Sequence, residues 1–245
     1  MPKLHGRNTT VLLGSVNLSP YLDSLDVAAD TATAETTTFG ATWASALAGA
    51  ASAKVDVSGY YDPAQSTLST LLLSGVPGVL TGCPGGGAAI GDSARLVSAL
   101  DVGFSESSPV GGVVAIKASF QADGVLGFGY MLHPLAEDTN TTTGATRDDL
   151  ASTSTGWTCH LHVTAVDAGG GSWVIKIVDA SAANMSDVAD LSGASFTAAT
   201  GATSQRLRGA TATATVRQYV RYVATRTGGG AGEGITFALA FARNG

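Results

Sequence analysis

The most regular pattern in this chain is its last. Ile235, Phe237, Leu239 and Phe241 alternate strictly with small residues, the period of a strand with one large and one small face. Three other segments of the second half share that period. In 158–166, Cys159, Leu161, Val163 and Ala165 lie on one face and His160 and His162 on the other. Trp173, Ile175 and Ile177 alternate with Val174, Lys176 and Val178, and Val220, Tyr222 and Ala224 with Tyr219, Arg221 and Val223. In the first half, 9–14 reads as a first strand, and Leu22, Leu25 and Val27 lie in a second. In 53–60, Val55 and Val57 oppose Lys54, Asp56 and Ser58. Leu96, Leu100, Val102 and Phe104 share a face, as do Val114, Ile116, Ala118 and Phe120 beyond Pro109 and Gly111-Gly112. Those two strands form an antiparallel hairpin. A further strand around 125–132 ends at His133-Pro134. One helical pattern interrupts the series. Asp62-Pro63 reads as an N-cap and first helical position, Leu68, Leu71 and Leu72 form one apolar stripe, and Gly75 and Pro77 end it.

The chain is therefore expected to be all-β with one flanking helix. Residues 136–156 are polar and aperiodic, the composition of a linker. They divide a first β domain over 1–135 from a second β-sandwich over 157–245. Between the second strand and 53–60 runs a threonine-rich stretch carrying Phe39 and Trp43. An exposed loop with large apolar side chains predicts a surface that another chain covers.

Composition supports that expectation. Only 13% of the 245 residues are charged, about half the usual ~25% of soluble domains. So sparse a charge favours self-association. The net charge is −6, with ten acidic against five basic residues in 1–125. A non-specific DNA-binding role needs a basic face that this balance does not provide. The N-terminal residues show no apolar core of signal-peptide length, and no apolar run approaches the ~18 residues of a membrane helix. Synthesis in a cytoplasm, no membrane anchor and free thiols at Cys83 and Cys159 are the corresponding expectations.

Candidate chemistry is thin. Gly82-Cys-Pro-Gly-Gly-Gly-Ala-Ala-Ile-Gly91 lacks the Lys-Ser/Thr of a phosphate loop, and Pro84 removes a donor amide. It reads as a hairpin connection. His160 and His162 point the same way, but no third ligand is near in sequence. They read as structural histidines on a half-exposed sheet rather than a metal pair. Glu137-Asp138 and Asp148-Asp149 fall in the expected linker. No catalytic cluster or cofactor motif emerges, so the chain reads as a non-enzyme without a cofactor.

A recurring order of segments remains. Gly6-Arg-Asn-Thr-Thr-Val-Leu-Leu-Gly14 precedes Asn17-Leu-Ser-Pro-Tyr-Leu-Asp-Ser-Leu25 and Ala34-Glu-Thr-Thr-Thr-Phe-Gly-Ala-Thr-Trp43. Then come Lys54-Val-Asp-Val-Ser-Gly-Tyr-Tyr-Asp62 and the hairpin Glu106-Ser-Ser-Pro-Val-Gly-Gly-Val-Val-Ala-Ile-Lys-Ala-Ser-Phe-Gln-Ala122. Over residues 4–132 this order resembles the major tail-tube proteins of long-tailed, siphovirus-like bacteriophages.

The resemblance implies a tail-tube-type β-sandwich or partial barrel with one flanking helix. It also implies homo-hexameric rings stacked into the tail tube of a virion. The implied partners are other copies, other phage tail proteins, and genomic DNA passing through the lumen without specific binding. A loop over about 30–52 would reach the neighbouring ring, placing Glu35, Thr36, Phe39, Trp43 and Leu47 at the contact. The second half resembles small β-sandwich decorations of virion proteins. There Trp157, Trp173 and Tyr219 are either a glycan platform or core residues. The alternative assignments are a capsid-decoration or host-glycan-binding virion protein, or a tail-terminator or distal-tail ring protein.

Overall fold

A computed structural model describes residues 6–39, 42–61, 78–167, 169, 171–230 and 233–244. Among them the chain is all-β. The first half contributes β1 (Thr10–Leu13), β2 (Val16–Asn17), β3 (Leu22–Glu35), β4 (Ala46–Tyr60), β5 (Gly78–Cys83), β6 (Ser93–Ser107), β7 (Ala115–Ala122) and β8 (Gly127–Asp138). The second contributes β9 (Thr142–Thr143), β10 (Arg147–Asp148), β11 (Trp157–Val166), β12 (Ser172–Ala180), β13 (Ala189–Ser195), β14 (Thr203–Arg208), β15 (Tyr219–Thr227) and β16 (Ile235–Arg243). The helix expected from Asp62 lies outside the described residues.

The main sheet does not stop where the sequence predicts a boundary. Its order is β14-β11-β16-β8-β6-β5-β1-β2, and β7, β4 and β3 branch from β6. β16, near the end of the chain, pairs with β8 from Ile235↔Asp138 to Phe241↔Tyr130. The second half is therefore not a sandwich built only from its own strands, because one of its two layers continues the sheet of the first. The second layer is the small sheet β10-β15-β12-β13, with β9 also on β15. The expected linker over 136–156 is largely ordered as well. Its first residues belong to β8, and β9 and β10 pair with β15. Two-residue strands carry no readable period, and Pro134 looked like a stop. In the structure Pro134 sits at an irregularity of the β8–β16 ladder, where its missing N–H breaks no regular pairing.

The three larger cores follow from this path. Val55, Val57, Leu80, Val97 and Phe120 pack between the β4–β7 branch and β1, β5 and β6. The large face of β16, Ile235, Phe237, Leu239 and Phe241, meets Trp157, Trp173, Ile175, Ile177 and Tyr222 under the small sheet. Its small face, Ala238, Ala240 and Ala242, packs with Leu12, Cys83, Leu96 and Met131. The strict large–small alternation thus belongs to a strand buried on both sides. Alanines on the inner face let the sheet curl tightly, and Gly129 serves the same end. A Cβ there would lie 2.1 Å from the Phe241 carbonyl oxygen.

The curl also covers the two histidines, which are fully buried rather than half-exposed. His162 Nδ1 faces the Gly14 carbonyl at 2.7 Å, so it carries the proton and donates. Its Nε2 then accepts from Thr81 Oγ1 at 2.8 Å, and Thr81 accepts in turn from His160 Nδ1 at 3.1 Å. One threonine of β5 thus ties both histidines of β11 across the curled sheet.

The segment 147–153 is pinned by Arg243. Its guanidinium donates to Asp149 Oδ2 at 2.8 Å and to the carbonyls of Ala151, Val216, Arg217 and Gln218. Asp149 also accepts from the Tyr130 hydroxyl and from Arg147 Nε. Arg243→Ala is expected to cost about 1.5–3 kcal/mol, since Asp149 keeps Arg147 and Tyr130 while a charged donor to several carbonyls is lost. Urea denaturation measures this, and a change within about 0.5 kcal/mol, the range of a neutral surface substitution, would show the clamp to be dispensable.

Candidate assembly interface

The predicted loop over 30–52 is a two-stranded arm. β3 and β4 pair from Leu22↔Gly59 to Glu35↔Ala46, with irregularities at Leu22/Ser24 and Thr31/Thr33. The backbone groups of this threonine- and alanine-rich stretch therefore satisfy one another instead of water. The tip is closed by Thr36 N–H to the Ser45 carbonyl at 2.8 Å and Ser45 N–H to Thr37 Oγ1 at 3.1 Å. The Thr36 and Ser45 hydroxyls lie 2.9 Å apart.

The arm is anchored at its base. Ala53, Val55 and Val57 are buried in the core, and β4 pairs there with β7 from Tyr60↔Ala115 to Lys54↔Gln121. Gly59 allows a close crossing, because a Cβ would lie 2.0 Å from the Tyr21 carbonyl oxygen. Tyr60 N–H donates to that same oxygen at 2.8 Å. Beyond Ala53 the arm pairs only with itself among the described residues. Seven residues of β4 there project roughly 23 Å.

Every sequence-predicted residue of this site is on the projecting part. Glu35 ends β3, Thr36 closes the tip, Phe39 and Trp43 lie in the turn, and Leu47 opens β4 beside Ala34. Phe39, Trp43 and Leu47 all point into solvent. Between Thr36 and Ala53 no charged residue occurs, so covering residues 36–53 themselves desolvates no ion. Lower down, Asp56 is held below the usual carboxylate range by its bond with Lys54 and by the Ser119 hydroxyl.

The glycan platform is not assembled. Trp157 is 0% and Trp173 2% exposed, so no sugar ring can stack on them. Trp157 stacks near Phe241 at 6.2 Å, and Trp173 lies in the same core. Tyr219 packs partly buried against Val178, Ala180 and Met185 in a separate cluster. Trp173→Ala is expected to cost about 3–5 kcal/mol through the cavity it leaves. Thermal unfolding reads that loss, and an unchanged Tm would contradict the burial.

Both cysteine thiols are buried. Burial raises both thiols, that of Cys83 to about 12, which suppresses thiolate reactivity. Among the described residues no group of three or more His, Cys, Asp and Glu side chains comes together to hold a metal.

Sequence reading missed a second exposed apolar group. Tyr60 ends β4 and Tyr61 follows it; both are exposed, as are Val110 and Val113 of the β6–β7 turn, whose Val114 carbonyl accepts from Tyr61 N–H. The consecutive tyrosines carried the signal, since neighbouring strand residues face opposite sides and at least one must lie outside.

No family model matches the chain, and no curated protein matches it. Among solved structures, a chain of the virion of a native gene transfer agent particle superposes with a TM-score of 0.42 at 12% identity, over 51% of this chain and 98% of its own. A chain from the tail of an empty gene transfer agent particle of C6 symmetry gives 0.37 at 14%, over 48% and 94%. The Dit protein of phage SPP1, a hub component of adsorption apparatus in phages infecting Gram-positive hosts, gives 0.37 at 12%, over 95% and 97%.

Proposed function

We propose that this protein is a structural subunit of a phage-type virion tail, closing into hexameric rings that stack into a tube admitting DNA. The observation that carries this reading is the arm, a projecting two-stranded ribbon that ends in uncovered Phe39 and Trp43. A monomer gains nothing from ordering such a ribbon in water, whereas a neighbour that covers it does. Two features support assembly by strands and passage of DNA. β3 is fourteen residues long and pairs only with β4 among the described residues, which leaves an edge open to another chain. The excess of acid in residues 1–125 suits a passage along which phosphate slides without adhering.

Electron microscopy of the purified protein tests the reading, with sedimentation velocity from low to high salt. Six-fold rings in end view and tubes in side view are expected. Single rings that never lengthen would favour a terminator or distal-tail ring instead. A strictly monomeric protein under all conditions would refute the proposal.

A further inference from the structure

Phe39 and Trp43 are one of two exposed apolar groups on the same ribbon. β4 leaves the arm tip at Ala46 and ends at Tyr60 after fifteen residues, a span of about 50 Å. At that far end Tyr60 pairs with Ala115, and Tyr61 N–H donates to the Val114 carbonyl at 3.0 Å. Both tyrosines are thereby held beside the β6–β7 turn, where Val110 and Val113 are exposed. We infer that this end of the sheet receives the arm tip of a second copy. Phe39 and Trp43 of one subunit rest on Tyr60, Tyr61, Val110 and Val113 of the next. The pairing rests on the stacked-ring reading above and supplies the receiving surface that reading leaves open.

Three arguments favour this occupant. The first is closure. Two dissimilar patches at opposite ends of one rigid ribbon are both covered by head-to-tail contact, which repeats indefinitely. Tip-to-tip pairing would stop at two copies and leave the second patch bare. The second is charge. Residues 36–53 and 107–116 contain no charged side chain, so the tip and the β6–β7 turn meet without repulsion or ion desolvation between them. The third is area. An aromatic side chain buries about 150–250 Å², so two of them with an equal area opposite bury roughly 600–1,000 Å². That is below the ~1,200 Å² of an independent complex. One such contact is weak, and it persists where several form together, as between stacked rings.

Cysteine cross-linking of the full chain tests the pairing. Cys83 and Cys159 are buried, so introduced thiols report without background. Ala44→Cys marks the tip and Ser108→Cys the receiving turn, and neither removes one of the six apolar side chains. The two variants are prepared reduced, mixed, allowed to assemble and oxidised mildly. Disulfide-linked dimers are expected in the mixture, at least ten-fold above either variant alone. Val110→Glu on a surface valine should leave Tm unchanged and lower stacking at least ten-fold. Normal particles with no cross-link in the mixture would place the receiving surface elsewhere and leave the ring reading standing. Cross-linking in Ala44→Cys alone would overturn the pairing in favour of tip-to-tip contact. Absence of any particle under all conditions would defeat both readings.

Discussion

Replacing residues 36–45 with Asn-Gly is expected to give a folded subunit that no longer stacks. The described residues among those excised belong to none of the hydrophobic cores. The Glu35↔Ala46 pair that remains is bridged by a turn whose backbone suits a two-residue hairpin. Stability should therefore stay within about 0.5 kcal/mol, the range of surface changes away from packed features. Association should respond very differently. Buried Trp and other large anchors contribute about 2–4 kcal/mol each to an interface, so losing both weakens a single contact by roughly three to six orders of magnitude. In a ring that engages its neighbour at several positions, those losses compound. Trp43→Ala alone should show the same direction with smaller size. Thermal unfolding separates folding from assembly, and sedimentation velocity with electron microscopy reads the assembly. Normal tubes from the shortened arm would show that the arm is not the contact.

The second large effect is expected on acidification. Burial holds His162 at about 4, opposed by its bond to the Gly14 carbonyl. It also drives His160 well below the usual histidine range, helped by the nearby His162 and Arg206 charges. His133 moves the same way through burial, against the pull of Asp138. A folded state that binds protons less readily than the unfolded chain loses stability as pH falls. The loss begins near 6.5, the unfolded value, and for His162 is complete below about 4. From that shift alone it amounts to about 3 kcal/mol, and the other two histidines add in the same direction. Carboxylates held low, such as Asp56 and Asp187, act in a separate window. Their contributions are present above about 3.8 and disappear only below it. Urea midpoints at intervals from pH 7 to 4 should therefore fall steadily. His162→Gln should flatten part of that slope, whatever its cost at pH 7. A midpoint independent of pH over this range would contradict neutral, buried histidines.

How much of this was legible depended on whether one face of a strand met water. β12, β15 and β16 were plain because their large residues fall at every second position and pack under the small sheet. The arm was not, since every described residue of 28–52 is exposed, and alanine, threonine and serine then carry no period. The residues read as its contact all lie on it, while its conformation was read as a loop. Alternation placed His160 and His162 on one face, yet the covering of that face by β5 depends on the curl of the sheet, which leaves no local mark. Val102 shows the opposite failure. It was grouped with Leu96 and Phe104, but an irregularity between Asp101 and Gly103 turns it outward. Trp173 shared its face with Ile175 and Ile177, so its burial was readable from the strand itself.

Segments joined by a small interface swing against each other by default. Here β8 and β16 share a backbone ladder, and β4 is joined to that ladder through β7 and β6. Among the described residues unbroken ladders join the arm to β16, on which the small sheet packs. A subunit pulled by its tip passes tension from strand to strand across rows of hydrogen bonds that share the load. A filament of such subunits would resist bending through covalently continuous, cross-braced blocks, and any curvature it adopts must come from the junctions between copies.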